Sequence, residues 1–288
     1  MAIDAKNYGK LAGYSSGGAK EAGPFTKIFI SGEQRDDQDI RKMHAIVQSK
    51  WDSKDLSEKF IVHNADKVNF IIMFIKKIRV KKEQLGKDYP EITYYSYDPD
   101  NESTFPEGAK CEFIFAGALL DENYKPILDR DDPTRTALVW FQNAGMRVGP
   151  AVEYLGELGK KSSELQPLSN DKDFERNIVT PRRWITQVTI ESRKSNYGNK
   201  DVYKYEAIKQ LPDKNVEAIM DRCMKWVDPF DLQFDLSKSV GGPQKSSGGS
   251  SYPPDNDNPT FGSEAEAETG AEVASTIDIP AEDIDLGI

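Results

Sequence analysis

VNFIIMFIKKIRVKK, residues 68–82, is a long β-branched and aromatic run that reads as a strand. On a period of two, Phe70, Ile72, Phe74, Ile78 and Val80 share one face, interrupted by Lys76. The other face runs Ile71, Met73, Ile75 and then Lys77, Arg79, Lys81, half apolar and half basic. Five cations (Lys76, Lys77, Arg79, Lys81, Lys82) crowd seven positions and repel one another unless an anion lies along them. Alternate positions on a strand are about 7 Å apart, close to the phosphate repeat of an extended single strand. The plainer reading is an edge strand blunted with lysines against aggregation.

Strand signals continue on both sides. Phe25 to Ser31, Glu112 to Leu120 and Thr136 to Gln142 read as strands. Arg182 to Arg193 and Asp201 to Ile208 flank SNYGN, whose Gly198 suits a positive-φ turn, so they form a hairpin. Helices are fewer. Asp37 to Lys50, which contains His44, is one expected helix. Pro150 opens a second that stops at Gly159. Asp213 to Val227 puts Val216, Ile219, Met220, Cys223 and Val227 on one stripe and is the third. The expected fold is mainly β with helical insertions, an OB-like small barrel.

The chain has 288 residues and a net charge of −10. Residues 241–288 hold ten acids and one base, so −9 of that charge lies there and the body is close to balanced. A low average charge therefore does not exclude a nucleic-acid partner, because patches bind phosphate. Residues 1–24 are Gly- and Ser-rich and read as a flexible arm; 25–238 carry the periodic apolar pattern and nearly all the aromatics. In 239–259, 13 of 21 residues are Gly, Pro or Ser, too few apolar groups to offset ordering entropy, so 239–288 reads as a disordered linker and acidic tail. The most apolar run, Phe70 to Ile75, is far too short for a membrane span. MAIDAKNYGK has no apolar stretch of a secretory signal, and two cysteines make no disulfide scaffold, so a reducing, cytoplasmic setting is expected.

Enzymatic signatures are weak. Gly13 and Gly18 have Walker A separation, but Ala19-Lys20 follows where Lys-Ser or Lys-Thr is needed. His44 and His63 lack zinc-ligand spacing, and there is no GxSxG elbow or HExxH helix. Asp36, Asp37 and Asp39, and Asp129, Asp131 and Asp132, are two acid clusters of a kind that chelates magnesium in nucleases, yet both lie in turn-like sequence. No cofactor or metal and no catalytic residue is expected.

Basic and aromatic residues co-occur instead. Tyr94, Tyr95 and Tyr97 follow the basic strand. A second group gathers Arg182, Arg183, Trp184, Arg193, Tyr203, Lys204 and Tyr205, with Tyr203 and Tyr205 on one face of the hairpin and Lys204 on the other. Stacking of bases on rings, with Lys and Arg on phosphates, holds single strands without reading sequence. Singly, each tyrosine is as well explained by packing the sheet.

A folded body, a Gly/Pro/Ser-rich linker and an acidic tail with apolar residues near its end resemble single-stranded DNA-binding proteins, bacterial and phage-encoded. The bacterial family closes in Asp-Ile-Pro-Phe; Asp278-Ile279-Pro280 matches three of the four, with Ala281 in the place of Phe. The body is nearer in length to the larger phage type. The resemblance implies binding of single-stranded DNA and recruitment of replication or recombination proteins through the tail (Asp278, Ile279, Pro280, Asp283, Ile284, Asp285, Leu286, Ile288). A tail of 48 residues reaches about 35–40 Å, enough to compete with DNA for a groove on its own body. The alternatives are a virion structural or protein-interaction component, in which the basic strand meets an acidic partner, and a metal-dependent nuclease using the acid clusters.

Overall fold

The structure is a computed structural model that describes residues 25–35, 38–47, 50, 52–83, 92–96, 110–195 and 198–233. The expectations placed on 1–24, on the tail 239–288 and on Tyr97 lie outside these residues.

The basic–apolar run is strand β4, Lys67–Glu83, the longest of the described strands. It pairs with β6 (Lys110–Leu120) along one edge, and with β8 (Trp184–Ser195) and β5 (Ile92–Ser96) along the other. Among the described residues the sheet has nine strands, ordered β3-β2-β1-β7-β6-β4-β8-β9, with β5 paired to β4. Here β1 is Phe25–Arg35, β2 Gln38–Ile46, β3 Phe60–Ala65, β7 Leu138–Asn143 and β9 Gly198–Gln210. Every pairing is antiparallel except β1 with β7.

The sheet curls until β9 reaches β1 and β2. The Tyr203 hydroxyl on β9 donates to the Ile28 carbonyl of β1 at 3.0 Å, and Arg41 of β2 bridges Asp201 of β9 at 3.1 Å. The result is mainly β, a curled half-barrel with helical insertions. Its inner face packs Ile28, Met43, Phe70, Ile72, Phe115, Phe141, Tyr203 and Tyr205 against Ala151, Tyr154 and Leu158 of helix α2, Val148–Ser163. A short helix, α1 (Leu56–Lys59), leads into β3. Two one-turn helices, α3 (Lys172–Phe174) and α4 (Thr180–Arg182), flank a π-helical turn before β8. The outer face is covered by α5, Asp213–Gln233, whose Val216, Ile219, Met220, Cys223 and Val227 are all buried, as their helical spacing predicts.

Two expectations are corrected. Residues 38–46 form strand β2, not part of a helix: Met43 and Ala45 enter the inner core while His44 turns to the other side. Second, β4 does not keep one alternation. Ile72 pairs with Gly117 and Phe74 with Ala116, leaving Met73 as a β-bulge. An extra residue reverses the faces beyond it. Phe70 and Ile72 therefore join the inner cluster, whereas Phe74, Ile78 and Val80 join the outer one with Ile71 and Met73. Gly117 stands opposite the bulge, where a Cβ would lie 1.8 Å from the Ile71 carbonyl oxygen, so only glycine fits.

Candidate functional site

The basic half of β4 lies beyond the bulge, in a three-stranded ribbon with β5 and β6. Lys77 is exposed. Its cross-strand partner is Phe113; the next alternate positions, Arg79 and Lys81, lie opposite Ser96 and Tyr94 of β5. Lys82 faces Thr93 in the register and Val80 faces Tyr95. Lys76 is corrected as a surface cation: it is only 5% exposed, and its ammonium sits 5.7 Å from the ring centre of Phe230 on α5.

The second predicted group is not brought together on one surface, and four of its members are buried. Beyond Ile71 β4 leaves β8, and pairing with β5 begins only at Arg79, so among the described residues the β4 edge between them has no strand partner. Arg182 fills that place: its guanidinium donates to the Met73 carbonyl, which the Cys223 thiol also reaches, and to the Ile178 carbonyl. Arg183 is 2% exposed and bridges Glu175 at 3.2 Å. Both arginines are interior scaffolding, because a buried cation persists only when paired. Tyr203 and Tyr205 are 1% and 5% exposed and pack against Phe141. Burial pushes the Tyr203 hydroxyl up to about 12, and raises those of Tyr205 and Tyr154 as well. The Tyr205 hydroxyl donates to Asn143 and that of Tyr154 meets Thr186, each at 2.7 Å. No base reaches these rings, so Tyr203 and Tyr205 are not stacking residues.

Trp184 is half-buried, with its indole N–H on Ser162 and the Lys161 ammonium 5.6 Å from its ring centre. Arg193 is matched by Glu153 at 3.1 Å and Glu191 at 3.4 Å, and the Glu153 carboxylate raises its pKa further. Lys204 is exposed, on the opposite side of β9 from the two tyrosines.

Asp129 and Asp132 are turn acids. Asp129 accepts from the backbone of Asp131 and Asp132 and from Arg135, and Asp132 accepts from Thr134. Asp36 and Asp37 lie outside the described residues. Among the described residues no group of three or more His, Cys, Asp or Glu is placed to hold a metal ion. No helix among them is long and apolar enough to cross a membrane.

One grouping escaped the sequence reading. On the outer face, next to the part that α5 covers, a row crosses β7, β1, β2 and β3. Lys27 lies 5.1 Å from the ring centre of Trp140, its register partner. Two residues along β1, Phe29 stacks on His44 at 5.8 Å and 25°. His44 touches His63 at 5.5 Å and Phe60 at 5.7 Å, and the last two rings are 4.7 Å apart. Lys59 closes the row, 5.8 Å from Phe60. Lys27 and His63 are exposed, and Phe29, Phe60 and Trp140 are half-buried. Sequence holds one faint signal, ring or cation at alternate positions of FTKIF, but the rest comes from segments as far off as Trp140. The row and Lys77 occupy opposite faces of the sheet, since Ile75, two positions from Lys77, packs on the inner cluster. Compared with known proteins, the chain matches no family model, no curated protein and no solved structure.

Proposed function

We propose that this protein binds single-stranded DNA without reading its sequence and protects exposed strands during replication or recombination. The curled sheet then serves as an OB-like platform, and the acidic tail recruits partner proteins and competes with DNA when none is bound. The observation that carries the reading is the ribbon: exposed Lys77 begins a ladder whose next alternate positions are Arg79 and Lys81, the latter beside Tyr94. Cations at about 7 Å steps suit an extended phosphate backbone and present no base-reading geometry. Lys204 adds an exposed cation. Arg182, Arg183, Tyr203 and Tyr205 have no part in it.

A mobility shift with single- and double-stranded oligonucleotides of equal length, at two salt concentrations, tests the reading. It predicts that the single strand shifts, that the shift weakens with salt, and that a chelator changes nothing. Loss of the oligonucleotide on adding magnesium would favour the nuclease, and no shift at low salt would reject DNA binding.

A further inference from the structure

We infer that the outer-face row of Lys27, Trp140, Phe29, His63, Phe60 and Lys59 is a base-stacking platform for single-stranded nucleic acid, separate from the β4 ribbon. The inference rests on the proposed function and assigns that function a site on the other face of the sheet.

Three features point there. First, the rings are more open than sheet aromatics normally are. Phe70, Phe115 and Phe141 are 0% exposed in the inner core, while Phe29 and Phe60 are half-buried and His63 is open to solvent. Part-exposed rings gathered on one face mark an interaction surface. Second, the ends of the row are cationic: Lys27 beside Trp140 and Lys59 beside Phe60. Lys27 also donates to the Gln142 side chain at 2.6 Å, which holds it over the row. Third, four adjacent strands span about 14 Å, enough for successive bases to lie on successive rings while the lysines meet the phosphates. Phe29 already lies nearly parallel to His44, so a flat base extends an existing stack.

The test is fluorescence anisotropy of a labelled oligothymidylate with the full chain and with Phe60→Ala, His63→Ala and Lys27→Gln. Phe60→Ala and His63→Ala should each weaken binding by about five-fold or more, as loss of one stacking partner does, with little change in the salt dependence. Lys27→Gln should make the log–log salt slope shallower by about 0.7. His63 and Lys27 are exposed, so their replacement leaves the fold intact even if Phe60→Ala does not, which circular dichroism checks. If the full chain binds and all three variants bind equally well, the platform is wrong and the ribbon alone holds the strand. If the full chain does not bind, the proposed function fails and the platform with it.

Discussion

Arg182 and Cys223 converge on the Met73 carbonyl, which the bulge has withdrawn from the ladder. A buried guanidinium serving two backbone carbonyls holds groups that water cannot reach, and its removal strips both of their charged donor. Arg182→Ala should therefore cost on the order of 3 kcal/mol in urea unfolding while leaving DNA affinity of the folded fraction unchanged. The buried tyrosines give a pH signature. Folded Tyr203 holds its proton to about 12, whereas an unfolded tyrosine releases it near 10. Below about pH 10 both states keep the proton and nothing is lost; above it the unfolded chain binds fewer protons, so stability falls as pH rises. Alkaline titration followed by phenolate absorbance and circular dichroism should show a late set of tyrosines ionising together with unfolding. Parity along the hairpin was legible, since Tyr203 and Tyr205 do share a face with Lys204 opposite. Which face is the core was not, because alternation carries no sign.

The elements that could be read were those with one-sided burial. Helix α5 follows its apolar stripe, and the β8–β9 hairpin turns at Gly198 with φ of 105°. Helix α2 keeps Pro150 in its first turn but runs past Gly159 to Ser163, where Lys161 donates to the Ala207 carbonyl and Ser162 accepts from the Trp184 indole. β2 misled because Ile40, Met43 and Val47 are spaced like a helical face, and strand pairing on both sides overrode that spacing. The bulge in β4 left no trace, as apolar residues on both faces of a buried strand hide any change of phase. Gly117 is its local signature. Gly117→Ala should destabilise the protein by about 3 kcal/mol and lower the thermal midpoint, since the added methyl group meets fixed backbone rather than a movable side chain. An unchanged midpoint would mean that the bulge can migrate.

At the scale of the whole molecule, charge is segregated: nearly all the net negative charge lies in residues 241–288, and the exposed cations Lys27, Lys77 and Lys204 lie on the sheet. If the tail competes for those cations, ending the chain at Val240 should tighten oligonucleotide binding at low salt and matter less at high salt, where screening shortens its reach. Equal affinity of the two chains at low salt would rule out self-competition. The candidate site was half legible, in that β4 announced its cations but the rings beside the outer face are joined only by folding. The most direct measurement of the central claim is the affinity of the full chain for a single-stranded oligonucleotide across a series of salt concentrations. Engagement of Lys77, Arg79 and Lys81 with phosphates predicts a log–log slope of about −2 or steeper. A slope near zero, or no binding at the lowest salt, would contradict the account.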